Sequence, residues 1–364
     1  MTVPRYSYAV HVLREDDSAV SQVPIDVDWE PAREWMRLLA LRRGHAPAEA
    51  FALNSAIEPL WHAERGAPYL AGFRARVAAD GSAELWHDFK TGYFAAPARA
   101  VSARLVAEGT LREGDRIRCL PVAFPRDVEP ASAAPTVRLK ARPAAPSMPV
   151  HAGALGDLLG RSVAHGRAQD GDDTPLFVPR TVLDEAGALA GAAEAKETGG
   201  ILVGHLQRDE AVAQVFAEVT AQIPATHAEA DRARLSFTAQ VWTDVRAALA
   251  LRDRGEIMLG WWHSHPVREW CKDCPEEKRP DCALAADFFS EHDRALHRTV
   301  FPRAYSVALV VNDVALDAPT FSLFGWRSGL IAPRGFHVLE PDRPEAACTG
   351  VTNAAATART DHVR

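Results

Sequence analysis

Residues 256–266 read EIMLGWWHSHP, an apolar run that ends in two histidines and a proline. Bounded by Gly255 and Pro266, the run predicts a buried strand, since proline has no N–H with which to continue a ladder. Side chains two apart on a strand share a face, so His263 and His265 point the same way. Two neutral imidazoles on one face at that spacing can hold one Zn²⁺. In a chain with 14 histidines they can equally be packed, hydrogen-bonded strand residues. The choice turns on whether a third ligand and a base lie elsewhere in the chain.

Outward from this strand the pattern is regular. PLFVP (175–179) predicts a short strand and RTVLDEAGALAGAAEAK (180–196) a helix of strong helix formers. TGGILVGHL (198–206) and EAVAQVFAEVTAQI (210–223) read as two strands joined by a turn around Gln207–Asp209. A helix within 236–255 ends on Gly255. SEHDRALHRTVF (290–301) is a helix, and 305–314 and 320–329 are strands.

Nearer the N-terminus, YSYAVHVL (6–13) alternates with a period of two. DWEPAREWMRLLALRRG (28–44) reads as a helix capped by Asp28 and ended by Gly44, and 46–62 repeats its apolar spacing. YLAGFRARVAADGSAELWHDF (69–89) carries an Asp-Gly turn between alternating runs, and 101–109 and 115–124 read as strand-like pieces. Residues 1–125 thus predict an α+β domain of unknown role. Residues 126–174 read as a Pro/Ala-rich linker, with one short helix at GALGDLLGRSV (153–163). The second domain spans 175–340, and 341–364 lacks apolar periodicity and is expected to be disordered.

Composition bounds the function. At 364 residues the chain has room for two cores, and 47% hydrophobic with 24% charged residues is ordinary for a globular protein. A formal net charge of −7 disfavours a nucleic-acid partner held by bulk electrostatics. No apolar run approaches bilayer length and no signal-peptide core opens the chain, so the expectation is a cytoplasmic protein without a membrane partner.

For the third ligand, Ser290 and Asp293 lie three apart at a helix start and share a face of its first turn. Asp293 can add an oxygen to the two nitrogens, with Ser290 as a hydrogen-bond donor at the same centre. The base would be Glu197, just before the Gly-Gly of KETGGILVG. Each residue has a plainer use: Ser290 with Asp293 as a helix N-cap, Glu197 as a solvated helix end.

Taken in order, ETGGILVG (197–204), HSHP (263–266) and S-x-x-D (290–293) resemble the JAMM motif of the JAB/MPN metallopeptidase family, over about residues 175–340. The resemblance implies an α/β-type JAB/MPN, cytidine-deaminase-like fold, a mixed sheet flanked by helices, preceded here by a separate α+β domain. It implies a catalytic Zn²⁺ on His263, His265 and Asp293, with Glu197 as general base and Ser290 on the developing oxyanion. The implied activity is an isopeptidase that removes a ubiquitin-like protein from lysine or trims its C-terminus. By the same analogy it would work in a bacterial conjugation pathway, an antiviral one included, beside E1/E2-like enzymes. Two rivals are a processing peptidase for a sulfur-carrier or ubiquitin-like precursor and a non-catalytic MPN binding module.

The chain departs from the family between the proline and the serine. Residues 267–289 form a long insertion, VREWCKDCPEEKRPDCALAADFF. It holds three of the five cysteines, Cys271, Cys274 and Cys282, at spacing that predicts a second, structural Zn²⁺. His292, His297 and Asp281 are the candidates for its fourth ligand. The alternative is an exposed loop that happens to contain thiols.

Overall fold

The computed structural model describes residues 5–52, 55–77, 84–126, 148–230, 235–278, 288–313 and 319–341. The first part contains β1 (Arg5–Arg14), β2 (Ala19–Ile25), α1 (Glu30–Arg42), α2 (Pro47–Ala52), β3 (Ala56–Trp61), β4 (Leu70–Val77), β5 (Leu85–Lys90), α3 (Ala95–Ala107) and β6 (Ile117–Arg126). After residue 147 come β7 (Val150–Ala152), α4 (Leu155–Gly160), β8 (Ser162–Gly166), β9 (Leu176–Pro179), α5 (Arg180–Ala192), β10 (Gly199–Asp209) and β11 (Gln214–Pro224). They are followed by β12 (Glu229–Ala230), β13 (Leu235–Ser236), α6 (Ala239–Arg252), β14 (Ile257–His265), α7 (Val267–Trp270), α8 (Glu291–Val300), β15 (Val307–Asn312), β16 (Thr320–Arg327) and β17 (Leu330–Leu339).

The N-terminal part builds two three-stranded antiparallel sheets, β2-β1-β6 and β3-β4-β5. Three sequence expectations change here. Residues 46–62 do not form one amphipathic helix: α2 is short, and Pro59, which would clash inside a helix, sits in the edge strand β3. Of residues 101–109, those to Ala107 are helical and none is strand, because the alanine-rich run begins at Ala95 and buries Val101 and Leu105 four residues apart. The N-cap of α1 is Trp29 and not Asp28, whose Oδ1 accepts the Glu30 N–H at 3.0 Å from one residue further out. The Asp-Gly turn at 80–81 lies outside the described residues.

The second part is a nine-stranded mixed sheet in the order β11-β9-β17-β16-β15-β14-β10-β7, with β8 beside β17. Because β11 pairs with β10 as well as with β9, the path curls back on itself. Helix α6 ends at Asp253, left-handed at φ 44°, two residues before the predicted Gly255. One face carries Ile201, Val203, Trp261, Ala308 and Val310, packed with Val241 and Val245 of α6 and with Phe289 and Phe301 that flank α8. The other carries Leu202, Trp262, Leu309 and Val311, packed with α5 and α1.

Domain limits differ from the sequence reading in two ways. Residues 148–174 are not linker: β7 pairs in parallel with β10, and β8 pairs antiparallel with β17. Strands this short and polar gain their place through backbone ladder bonds, which leave no side-chain periodicity to read. Nor is the N-terminal part a separate body. Helix α1 is buried almost all round, with Ala32, Trp35, Met36, Leu38 and Leu41 inside, as a helix between two layers must be. Its apolar core runs on into Leu176, Val178, Val215 and Phe336 of the large sheet. Of the linker 126–174 and the tail 341–364, residues 127–147 and 342–364 lie outside the described residues.

Candidate metal centre

Strand β14 lies between β10, antiparallel, and β15, parallel, so its backbone is paired on both sides. Alternation puts Trp261, His263 and His265 on the face covered by α6 and α8, and turns Trp262 to the other, where its Nε1–H donates to Gln222 at 3.1 Å. Both histidines are almost completely buried. After Pro266 the chain turns into α7, whose Glu269 and Trp270 N–H groups bond the Pro266 carbonyl at 3.1 and 3.0 Å.

The third group arrives on α8. Ser290 is its N-cap, with Oγ accepting the Asp293 N–H at 3.1 Å, while Asp293 Oδ2 accepts the Ser290 N–H at 2.9 Å. This capping box locks the first turn and turns the Asp293 carboxylate back toward the strand. The Ser290 hydroxyl donates to the same Oδ2 at 2.7 Å. Ser290 therefore fills the N-cap role foreseen for it, and its single hydroxyl proton is directed at Asp293.

His263 Nε2 lies 3.1 Å from His265 Nε2 and 3.6 Å from Asp293 Oδ2. All three ligand atoms fall within 4.8 Å of one another, the convergent metal-binding group among the described residues. Ligands about 2.0–2.1 Å from a tetrahedral zinc stand roughly 3.3 Å apart, so two nitrogens and an oxygen at these separations fit that ion. The local electrostatics agree. Burial, and secondarily His263, pushes the His265 imidazole down to about 3, against the pull of Asp293 and Asn312. Burial raises the Asp293 carboxyl, but the His263 hydrogen bond and charge and the Ser290 donors outweigh it, holding the group well below the usual carboxylate range. A neutral His265 imidazole and an ionised Asp293 carboxylate are forms that ligate.

Glu197 is buried just before β10. The ladder pairs Gly199 with His263 and runs one step further, where Ser264 N–H donates to Thr198 O at 2.8 Å and Thr198 N–H to Ser264 Oγ at 2.9 Å. Continued by one residue, this register sets Glu197 opposite His265, on the histidine face. Gly199 is required by close approach: a Cβ there would meet Trp262 O at 2.4 Å and Leu235 Cδ2 at 2.5 Å.

The predicted second metal cluster does not assemble among the described residues. Cys271 is buried and Cys274 exposed, and Cys282 and Asp281 lie outside the described residues. His297 is unsuited as a fourth ligand, because it lies on the buried side of α8 with Nδ1 accepting the Trp261 Nε1–H at 3.1 Å. His292 Nε2 lies 3.4 Å from Leu235 O.

Three supports surround the histidines of the site. Asn312 Oδ1 lies 3.1 Å from His265 Nδ1. Trp270 and Phe288, from the two ends of the insertion, pack against the His265 ring at centroid distances of 5.1 and 4.4 Å. Trp261 stacks on His263 at 4.6 Å and is itself tethered to His297. The aromatic Trp270 and Phe288 flanking a cysteine-bearing loop were the available signal; for Asn312 there was none, since only the β14–β15 register brings it in.

Residues 179–269 match the family of prokaryotic homologs of the JAB domain. The likeness to the JAB/MPN family lies in that stretch. The match takes in Glu197, His263 and His265 and stops inside the insertion, ahead of Ser290 and Asp293. A protein from Desulfitobacterium hafniense, known by its solution structure, is 18% identical to this chain. The likeness covers 47% of this chain and 95% of that one, with a TM-score of 0.31. No curated protein matches the chain. Among the described residues no helix is long and apolar enough to cross a membrane.

Proposed function

We propose that this JAB domain is a zinc-dependent isopeptidase that releases a ubiquitin-like protein from a lysine conjugate or trims its C-terminal tail. The observation that supports it is the convergence of His263, His265 and Asp293 within 4.8 Å, with Glu197 in register on the same sheet face. His263, His265 and Asp293 would hold the zinc, whose chemistry when bound is Lewis-acid polarisation and acidification of water. Glu197 takes a proton from the attacking water and returns it to the leaving lysine amine, which needs a carboxylate inside the site and screened from solvent. The Ser290 hydroxyl, turned from Asp293 Oδ2, donates to the carbonyl oxygen as that oxygen gains charge. Trp261, Trp270 and Phe288 surround the histidines with rings and keep bulk water from them.

The partner is then a ubiquitin-like protein or its conjugate, in a bacterial conjugation pathway. The test offers purified protein of known zinc content a lysine-linked ubiquitin-like conjugate and, separately, a linear C-terminal extension. Cleavage that disappears in Glu197→Gln while zinc stays bound supports the reading, and preference between the two substrates separates isopeptidase from processing peptidase. A wild-type protein that holds no zinc and cleaves neither substrate refutes it in favour of a binding module.

A further inference from the structure

We infer that Asn312 is a positioning residue: its side-chain carbonyl accepts the His265 Nδ1–H and so fixes the tautomer whose Nε2 lone pair faces His263 and Asp293. The inference rests on the metal-centre reading above. Asn312 ends β15, and the parallel register pairs it directly with His265, so the two side chains leave the sheet on one face. Both are buried, His265 at 1% and Asn312 at 0% exposure, and Oδ1 lies 3.1 Å from Nδ1. Water has no access to replace that partner.

A neutral imidazole has one N–H and one lone pair, so the nitrogen that takes the proton decides the other's role. If the Asn312 amide donated to Nδ1, the His265 proton would sit on Nε2, aimed at His263 Nε2 only 3.1 Å away. A site assembled from His263, His265 and Asp293 then loses one of its three lone pairs. With Oδ1 as acceptor, Nε2 is left bare and turned inward. Hydrogen bonding of a ligating histidine's second nitrogen to a carbonyl is a general way of setting tautomer and ring orientation.

The two histidines differ in this respect. His263 Nδ1 has no hydrogen-bond partner among the described residues, and its ring is held by the stack on Trp261. His265 is held by a directional bond, with Trp270 and Phe288 limiting how far the ring can tilt. Asn312→Leu therefore removes information that the surrounding packing does not carry, while keeping the volume.

The experiment uses the full chain as wild type, Asn312→Leu and Asn312→Asp, with His265→Gln for spectral assignment. The first measurement is zinc affinity by chelator competition. The second is the tautomer of His265 in the metal-free protein, from ¹⁵N-histidine spectra assigned by the resonance lost in His265→Gln. Expected are about 10- to 100-fold weaker zinc binding in Asn312→Leu with an Nδ1–H signal that is lost or mixed, and recovery of both in Asn312→Asp, which accepts but cannot donate when ionised. Thermal melting of the metal-free forms separates this from a folding defect. The inference is overturned if Asn312→Leu binds zinc as wild type does, or if His265 in the metal-free wild type carries its proton on Nε2. A wild type that shows the Nδ1–H tautomer but binds no zinc instead overturns the metal-centre reading and leaves the hydrogen-bond assignment standing.

Discussion

Two buried polar clusters in this molecule are built on opposite principles. At the seam between α1 and the large sheet, Arg327 forks onto both oxygens of Asp173 at 2.8 and 2.6 Å, and buried Arg334 sits 3.4 Å from the same carboxylate. Arg334 also donates to Thr174 O, and Arg42 reaches from α1 to Asp172 O at 2.9 Å and to the Thr174 hydroxyl at 3.3 Å. Cations there face anions and carbonyls, although Arg42 Nε and Arg334 Nε and Nη1 have no hydrogen-bond partner among the described residues. At the candidate centre, two imidazole nitrogens and a carboxylate oxygen face one another. Groups gathered in that way need a shared proton or a cation between them. A polar cluster that closes on its own charges holds parts together; one that leaves lone pairs converging calls for a ligand.

This contrast can be broken by substitution, and the largest expected effect is catalytic. Glu197→Gln keeps the volume and removes the base, and should lower turnover of a lysine-linked conjugate by about 10²- to 10⁴-fold with zinc content unchanged. Zinc lost in that variant would mean that Glu197 belongs to the ligand set. Asp293→Ala should strip zinc during dialysis and with it all cleavage, read by elemental analysis, while its capping loss costs the fold only about 1 kcal/mol. At the seam the signs reverse. Asp173→Asn leaves Arg334 buried without its counter-charge and should cost about 3–5 kcal/mol in urea unfolding, with zinc stoichiometry of the folded fraction unaltered. A stable Asp173→Asn would show that the seam is not held by its charges.

A smaller effect follows from His297, which links the core to the centre through Trp261. Burial, above all, pushes its imidazole down to about 3, so the folded protein keeps it neutral where the unfolded chain begins to protonate it, near 6.5. Its contribution is complete above about pH 6.5 and is lost as pH falls toward about 3, at about 1.4 kcal/mol per pH unit for one histidine. Urea unfolding of metal-free wild type and His297→Gln across that range should show a shallower acid slope in the variant; parallel slopes would refute the assignment. Least of all, Phe288→Ala removes one ring from His265 and should cost about 0.5–1.5 kcal/mol beyond the area lost, read as a drop in melting temperature.

How much of this was legible in the sequence varies with the kind of contact. The ETGG strand, the HSHP strand and the S-x-x-D helix start were legible because each is a local pattern: period two puts His263 and His265 on one face, and a three-residue offset puts Ser290 beside Asp293. Residues 101–109 look strand-like only apart from the alanine run that precedes Val101, and Pro59 forbids the helix that the apolar spacing of 46–62 suggests. Residues 148–174 looked like linker because β7 and β8 join the sheet by backbone bonds alone.

By itself, then, the sequence determined the candidate ligands, the candidate base and the strand and helix that bear them, since each is marked by a pattern within a turn or two of chain. Tertiary structure decided what stands around them. Asn312 reaches His265 only through the β14–β15 register, Trp261 meets His297 only across a packed layer, and α1 shares the core of a sheet whose strands begin more than a hundred residues later. A slip of one residue in that register would turn Asn312 to the opposite face. No local period records which strands become neighbours, so that information exists only once the chain has packed.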